Sequence, residues 1–433
     1  MLRAFVNAFK IPDLRKKILF TLFLIAVYRL GSHVPVPVVD VHALQVDVQG
    51  ASAANQGFLS FINLFSGGAL TRMAVFALGI MPYITSSIIM QLLIVVIPKL
   101  EQWQKQGEVG IKKITQWTRY MTVTLAILQS TGLVFLFHNT FSVANGSQLD
   151  IIPASKFDAP HISLMVLTLT AGTATIMWMG ELITQRGIGN GMSILIFTSV
   201  ISRLPQEGTA IYQQTGALKF YIILGLAMLI ILAVVFIEQG QRRIPVQYAK
   251  RVVGRRMMGG QSTYIPLKVN QAGVIPIIFA SSVLYFPTLL ASVWHWSPFQ
   301  NFVNNNLNSQ SSPVYLFLYG VMVVFFAYFY TAIQFNPVDT ADNIRKYGGF
   351  IPGIRPGKPT ADYLNNILVR ITLPGSLFLA SIALLPSIFL ALYSIPQFPF
   401  GGTAILITVG VALETMKQLE SQLLMRHYEG FLR

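Results

Sequence analysis

Apolar and polar stretches alternate along the whole chain with a length that suits membrane-spanning helices. The apolar runs contain about 20 residues, enough for a helix to cross a hydrocarbon core of about 30 Å. Loops rich in Gly, Pro and charged residues separate them. The pattern predicts ten spans, the fifth being the shortest, near residues 18–34, 74–97, 117–138, 161–183, 190–205, 219–237, 271–294, 313–334, 366–391 and 401–424.

Composition supports a membrane protein. Of the 433 residues, 53% are hydrophobic and only 11% are charged, whereas soluble domains carry roughly a quarter charged residues. The chain contains no cysteine, which excludes disulfide bonds and thiolate metal sites. After the basic segment Met1–Lys17, the first apolar run ends at Arg29 without the small-residue cleavage site of a secretory signal. This run is therefore expected to remain as a membrane span.

The Lys and Arg residues fall on alternate sides of the predicted spans. The net charge of +15 suits nucleic acid, anionic lipid or the topology bias of membrane proteins. All but five of the 31 Lys and Arg residues lie in the N-terminal segment, the even-numbered connections or the C-terminal tail. Because cytoplasmic loops collect Lys and Arg, both termini are expected in the cytoplasm. The five exceptions are Arg29, Arg72, Lys156, Arg203 and Lys219.

The ten spans divide into two sets of five. Residues 1–215 would form the N-terminal half, and residues 216–433 the C-terminal half with basic loops 239–268 and 335–364. Because five is odd, the second half would enter the membrane with the opposite orientation. Many conduits are built from inverted halves, with the path at their interface. The predicted fold class is an all-α, polytopic membrane protein with two inverted five-helix halves.

One apolar segment, Gly57–Leu70, is too short to cross the membrane. At about 1.5 Å per residue it spans half a bilayer as a helix, and the glycines that follow break it before the second span. Either it enters the membrane and returns, surrounded by protein or water because lipid does not tolerate unpaired backbone, or it lies on the outer surface. Phe58, Phe61, Ile62, Leu64 and Phe65 form its apolar face, and Gly67 and Gly68 end it.

Several long motifs, in order along nearly the whole chain, resemble the SecY family. Members of this family form the channel through which secretory and membrane proteins leave the bacterial cytoplasm. The loops 139–160 and 295–312 carry no part of the resemblance. The motifs are FSGGALTR at 65–72, FALGIMPYITSSIIMQLL at 76–93, MWMGELITQRGIGNGMSILIF at 177–197, GQRRIPVQYAKR at 240–251, GRR at 254–256, QSTYIPLKVNQAGVIPIIFASS at 261–282, FNPVDTADNIRKYGGFIPGIRPG at 335–357 and FGGTAILI at 400–407.

The resemblance implies a pore closed by an apolar ring and a short re-entrant helix, the plug, at residues 57–72. Residues one helical turn apart supply two pairs of the ring, which agrees with a shared helical face. A methionine stands in the ring where isoleucine is common in the family, and this change is expected to soften the seal slightly. The ring positions are Ile80, Ile84, Met192, Ile196, Ile278 and Ile407.

The resemblance also implies a lateral gate between the second and seventh spans, through which apolar segments pass into lipid. Pro82 and Pro276 fall inside these predicted spans, where each would remove a backbone hydrogen bond and favour a kink. Gln91 and Asn270 lie near the gate by resemblance. They either act in the gate or form hydrogen bonds between helices for stability.

The two basic loops are implied docking sites for the ribosome, whose RNA is anionic, and for the SecA motor ATPase. Seven cations in loop 239–268 exceed what orientation alone needs. Other implied partners are the SecE and SecG subunits, signal sequences, nascent polypeptides and membrane lipids, at the bacterial plasma membrane. Candidate docking residues are Arg242, Arg243, Arg251, Arg255, Arg256, Arg355 and Lys358, with Arg355 expected on a rigid Gly- and Pro-rich turn.

No catalytic, cofactor or metal site is visible in the sequence. It has no GxxxxGK[ST] phosphate loop and no HExxH motif, and its six histidines are scattered. The chain is therefore expected to be a channel rather than an enzyme, with energy supplied by a partner. A secondary transporter is disfavoured because the span centres are almost uncharged. An intramembrane enzyme lacks a visible nucleophile–base or metal pair. An rRNA-binding membrane anchor would leave the short helix and the ring positions unexplained.

Overall fold

A computed structural model describes residues 9, 11–40, 65–137, 152, 157–248, 251–253, 256–258, 263–293, 297–307, 312–393 and 402–429. These residues form a helical bundle with a small sheet at one end. The helices are α1 (Pro12–Gly31), α2 (Met81–Val96), α3 (Pro98–Lys105), α4 (Glu108–Leu136), α5 (Ala159–Arg186), α6 (Gly191–Gln239), α7 (Ile275–Val293), α8 (Ser297–Asn306), α9 (Pro313–Gln334), α10 (Pro337–Lys346), α11 (Lys358–Tyr393) and α12 (Gly402–Glu429). The strands are β1 (Gln241–Tyr248), β2 (Arg251–Val253), β3 (Arg256–Met258), β4 (Thr263–Lys268) and β5 (Gly349–Phe350).

Each predicted span coincides with helix in the described part of the chain. Spans five and six are the two parts of α6, because Gly216 (φ 78°, ψ 168°) leaves the helical conformation between them. The fifth span is longer than predicted, since helix continues from Gly191 to this break. Judged by length and hydropathy, four described segments are able to cross a membrane: Ala159–Arg186, Gly216–Gln239, Pro313–Lys346 and Lys358–Leu385. The pair α2 and α3, bent by 100°, makes a possible fifth.

The expected proline kinks are wrong. The second predicted span begins at residue 74, but its helix begins only at Met81, so Pro82 lies in the first turn. The seventh helix likewise begins at Ile275, which places Pro276 in its first turn. Amides in the first turn have no partner within the helix, so proline costs no hydrogen bond there. The two prolines therefore start their helices, and the proline inside α7 is Pro287.

The largest apolar cluster joins both predicted halves. It contains buried side chains from α1, α2, α5, α6, α7, α9, α11 and α12. Helix α7 packs on α9 and also contacts α2 and α4, while α6 packs on α5 and α12. Apolar side chains that leave water stabilise such packing. The centre of the bundle is therefore the place where helices from the two ends of the sequence meet.

A small sheet unites the two basic loops. Strand β1 pairs antiparallel with β4 inside loop 239–268, and its far end pairs with β5 of loop 335–364. The sheet rests on a separate apolar cluster that includes Ile244 and Leu267 from the strands, Ile344 from α10 and Leu364 from α11. The two loops are thus one packed unit, which we call the basic platform. The sequence analysis did not predict these strands.

Candidate functional site

The six expected ring positions lie in one apolar cluster at the centre of the bundle. Five of them lie in four helices, α2, α6, α7 and α12, and Ile80 directly precedes α2. Five of the side chains are buried, and the sixth, that of Ile84, is partly buried against the same cluster. The residues brought together are Ile80, Ile84, Met192, Ile196, Ile278 and Ile407.

Local interactions fix the two pairs of ring residues at helix starts. The Ile84 amide donates to the Ile80 carbonyl at 3.1 Å, so these side chains are one helical turn apart. Helix α6 is capped by Asn190, whose Oδ1 accepts the Met192 amide at 3.1 Å. Gly180 of α5 makes room for the Met192 thioether, because a Cβ atom at residue 180 would collide with the sulfur. The expected helical spacing of both pairs is confirmed.

A cavity of about 510 Å³ lies against the ring, and we call it the vestibule. Five ring residues line it, whereas Ile80, which is 2% exposed, does not. The rest of the lining includes charged side chains near the basic platform, among them Glu238, Lys268 and Glu414. The vestibule is therefore a water-compatible space that ends on an apolar surface.

The predicted gate residues Gln91 and Asn270 both line the vestibule. Asn270 is 4% exposed, and its Nδ2 donates to Glu238 Oε2 at 3.0 Å and to the Gly273 carbonyl at 3.2 Å. This bond links the end of α6 to the segment before α7, so Asn270 forms the stabilising hydrogen bond that was one of its two expected roles. Pro82 and Pro276 are both buried at the starts of α2 and α7.

Sequence reasoning missed two polar pairings near the vestibule. Glu238 accepts the Asn270 bond just described, and Glu181 of α5 pairs with Arg119 of α4. The guanidinium forms two hydrogen bonds, Nε to Oε1 at 2.8 Å and Nη2 to Oε2 at 2.7 Å. Such fork-shaped pairs are strong and directional. A signal was available, because an acidic residue within an apolar run needs a partner, but the sequence does not say which residue supplies it.

The plug segment, residues 57–72, is described from Phe65 onward, and we call residues 65–72 its stem. Phe65 is 1% exposed and belongs to the same cluster as the ring. Gly67 (φ 64°) and Gly68 (φ 89°) adopt the left-handed region that favours glycine, so the predicted break is confirmed. Arg29 donates to the Gly67 carbonyl at 2.7 Å. The remaining plug positions, Phe58, Phe61, Ile62 and Leu64, lie outside the described residues.

The candidate docking residues are spread over the basic platform. Arg242 and Arg243 are exposed on β1, and the Arg243 guanidinium lies 4.8 Å from the centre of the Tyr264 ring. Arg355 and Lys358 are exposed beside a turn in which Thr360 Oγ1 donates to the Arg355 carbonyl at 2.8 Å. Arg355 thus lies beside a turn, as expected, and its carbonyl is held by a hydrogen bond.

The other docking candidates belong to the tip of loop 239–268. Arg251 and Arg256 lie on strands β2 and β3, which pair with each other, and Arg255 between these strands lies outside the described residues. Across the described part of the chain, no three His, Asp or Glu side chains come together in a way that would hold a metal ion.

Relatives of known family match the chain over its full length. A sequence profile of the SecY family matches residues 74–416. The protein translocase subunit SecY of Streptomyces galbus is 55% identical over 439 residues, covering 100% of both chains. The corresponding subunit of Mycobacterium bovis is 52% identical over 444 residues, again covering 100% of both.

Solved structures share the fold at low sequence identity. One described as a protein conducting channel has a TM-score of 0.62 at 15% identity and covers 96% of each chain. A second, concerned with the plug domain of SecY in the closed channel, has a TM-score of 0.60 at 16% identity and the same coverage. Canine Sec61 in a ribosome–channel complex has a TM-score of 0.59 at 14% identity, also covering 96% of each chain. At this identity the likeness concerns the fold alone.

Proposed function

The chain belongs to the SecY family of protein translocase subunits, and we propose that unfolded polypeptides cross the membrane through its ring of six apolar side chains. Family membership makes it a channel subunit, not an enzyme, and a multi-pass membrane protein. One observation carries the proposal: residues from four separate helices converge in one cluster, and five of them line the vestibule.

An apolar ring seals a water-filled path by a simple physical effect. An ion that enters it loses its hydration without gaining ligands, so the ring excludes ions although no polar group blocks them. The side chains have no fixed polar partners, and they repack when a polypeptide passes. Met192 suits this use because its unbranched thioether adapts to different neighbours. The same six residues thereby close the resting channel and surround the moving chain.

The plug segment is the second part of the proposed seal. A solved neighbour of the same fold concerns the plug domain of SecY and the closed state of its channel. In this chain the stem packs Phe65 into the cluster that contains the ring. We propose that residues 57–72 rest against the side of the ring opposite the vestibule and leave when a polypeptide enters.

A lateral gate between α2 and α7 would release apolar segments into lipid. These helices contact each other, and Gln91 and Asn270 from the two sides of the gate line the vestibule. A segment exposed to both water and hydrocarbon moves into lipid when its summed transfer free energy is favourable. Pro82 and Pro276 act here as helix starts rather than kinks.

The basic platform is the proposed docking site for the ribosome and for SecA. The canine neighbour was determined in a ribosome–channel complex, and exposed arginines suit contacts with phosphate or carboxylate groups. Because β1 pairs with both β4 and β5, the two loops present one continuous surface to a partner. The residues proposed to bind the partner are Arg242, Arg243, Arg251, Arg255, Arg256, Arg355 and Lys358.

We further propose that the chain lies in a bacterial plasma membrane with both termini in the cytoplasm, in complex with SecE and SecG. The bacterial relatives and the alternation of Lys and Arg along the chain support this. The halves 1–215 and 216–433 are the proposed inverted units, and the helix break at Gly216 coincides with their boundary.

Cross-linking to an arrested secretory chain tests the pore assignment. The protein has no cysteine, so single cysteines at Ile84, Ile278 and Ile407 give a clean background. Each is expected to form a disulfide with a cysteine placed in the arrested polypeptide, because a chain within the ring touches every side of it.

Matched controls use Leu229 of α6 and Leu377 of α11, which are 63% and 55% exposed on the outside of the bundle. These positions are expected to give no cross-link. Equal cross-linking at ring and control positions, or none at the ring, would exclude the proposed path.

A further inference from the structure

Arg29 is one of the few cations on the side of the bundle opposite the basic platform. Its Nη1 donates to the Gly67 carbonyl at 2.7 Å and to Ser202 Oγ at 3.1 Å, so it connects α1, the stem and α6. Among the side chains that the structure describes, no carboxylate lies within 4.0 Å of the Arg29 guanidinium. The positive charge is thus directed to a backbone carbonyl of the plug segment.

The stem is enclosed on the sides that Arg29 does not cover. A Cβ atom at Gly67 would lie 3.1 Å from Ser199 Cα, and one at Gly79 would lie 2.7 Å from the Phe65 carbonyl oxygen. Ser199 is itself held, because its Oγ lies 2.6 Å from the Tyr28 hydroxyl. The stem therefore fits closely between α1, α6 and the turn before α2.

Both ends of the loop that carries the plug are fastened together. The Val36 amide donates to the Met73 carbonyl at 2.9 Å, and the Val75 amide donates to the Val34 carbonyl at 2.8 Å. The chain thus leaves after Val36 and returns at Met73 to the same place. A displacement confined to the residues between these points would leave α1 and α2 in place.

Gly68 is the joint about which such a displacement would occur. Gly67 and Gly68 both have positive φ, but only at Gly68 would an added Cβ atom meet nothing within 4 Å, so this residue has space around it. Beyond the joint, the Ala74 amide donates to the Ala69 carbonyl at 2.9 Å, which closes a turn. The stem is therefore fixed after the joint, and before the joint it is held at Gly67 by Arg29.

We propose that Arg29 is the latch of the plug: its hydrogen bond to the Gly67 carbonyl positions the closed plug and must break before the plug leaves. This inference rests on the proposed function of residues 57–72 as a seal. A charge-assisted bond to a carbonyl is directional and stronger than a neutral one. Both bonds are donated by one nitrogen, Nη1, and the planar guanidinium fixes the directions of its N–H donors more tightly than a freely rotating lysine ammonium does.

The test measures ion conductance of the reconstituted translocase complex with Arg29→Gln and Arg29→Lys. Arg29→Gln keeps a polar side chain but loses charge and reach, and it is expected to raise resting conductance about tenfold, the change for one charge-assisted bond. Arg29→Lys keeps the charge and is expected to restore part of the seal. A matched variant lacks residues 58–64. In this variant Arg29→Gln is expected to cause no further rise in conductance, because no plug remains to be held.

A second readout follows the stem directly. Ser66 is buried, and Ser66→Cys introduces the only thiol of the chain. Its reaction with a membrane-impermeant maleimide added from outside is expected to be slow, and about tenfold faster with Arg29→Gln. The control is a single cysteine at Ser130, which is buried between α4 and α5. If Arg29→Gln destabilised the whole bundle instead of releasing the plug, labelling of this control would accelerate to the same degree.

The outcomes separate the two proposals. If deletion of residues 58–64 raises conductance but Arg29→Gln changes neither conductance nor labelling, the proposed latch is wrong, while the proposed seal by residues 57–72 stands. If that deletion leaves conductance unchanged, the seal assigned to residues 57–72 is wrong. The proposed latch is also wrong if Arg29→Gln raises conductance equally in the full chain and in the variant that lacks residues 58–64.

Discussion

The proposed ring and the stem would close the same channel by different kinds of interaction. The ring consists of apolar side chains from four helices that are held by packing, whereas the stem is held by short directional contacts, chiefly the bond from Arg29 to Gly67. Packing contacts have no preferred direction or partner, so apolar side chains can form new ones with a passing chain, whereas a hydrogen bond requires two particular atoms at a set distance and angle. The ring is therefore suited to stretch around polypeptides of any sequence, and the stem to act as a switch with two positions.

The largest effect is expected from a substitution that displaces the stem, Gly79→Ala. Its Cβ would lie 2.7 Å from the Phe65 carbonyl oxygen, and residue 79 has φ +57°. Backbone strain of this kind costs about 1–3 kcal/mol, and moving the stem away relieves the collision. We expect a constitutively leaky channel, measured as resting ion conductance in liposomes.

Gly68→Ala is the matched control for this prediction. It has a similar positive φ of +89° but no atom within 4 Å of the added Cβ. It should therefore carry the strain without the collision and leak much less. If both variants leak equally, strain rather than contact with Phe65 explains the effect, and the close fit of the stem is unimportant.

A smaller effect is expected from a polar group in the ring. Ile278→Asn places an amide where the buried side chain of Ile278 meets the other ring residues, and water that solvates the amide brings ions with it. Resting conductance is expected to rise roughly tenfold, which corresponds to about 1.4 kcal/mol, and discrimination against defective signal sequences should relax.

Ile278→Val separates polarity from volume. Valine removes one methylene at a typical cost of about 1 kcal/mol but keeps the ring apolar, so conductance should stay close to that of the parent. A leak of equal size in both variants would show that the ring seals by tight fit, as the stem does, and would remove the distinction drawn above.

The smallest effect is expected for Ser202→Ala. This substitution removes the weaker of the two Arg29 bonds, at 3.1 Å, and leaves the 2.7 Å bond to Gly67 in place. A typical hydrogen bond contributes about 1 kcal/mol net, and Arg29 gains water in exchange. Conductance should change less than threefold, which corresponds to a free energy on the order of RT. An effect as large as that of Arg29→Gln would place the latch at Ser202 instead of Gly67.

The sequence predicted the helices well because their signal is local. A run of about 20 apolar residues specifies a span regardless of its neighbours, and all ten predicted positions contain described helix. The errors occurred at helix starts. Pro82 and Pro276 were assigned to helix interiors because hydropathy continues upstream of each helix, and apolar residues do not distinguish a buried turn from a helix.

The basic platform shows where local signals fail. Loop 239–268 has the composition of a charged connection, and its strands are defined by pairing across the chain, with β5 located far from β1 in sequence. Propensity for strands depends strongly on such neighbours. The pairing of Asn270 with Glu238 escaped prediction for the same reason, since a polar side chain does not encode its partner.

By itself the sequence predicted a ten-span membrane protein, the side of the membrane on which its cations lie and, through its resemblance to a family, the six residues of the proposed ring. The spans and their orientation follow from hydrophobicity and charge, which each segment carries on its own, whereas the ring positions follow from the family motifs. Only the tertiary structure decided that the ring adjoins a vestibule, that two loops form one platform and that Arg29 reaches Gly67. These depend on which side chains meet, and distances across the fold are set by the packing of all the helices together.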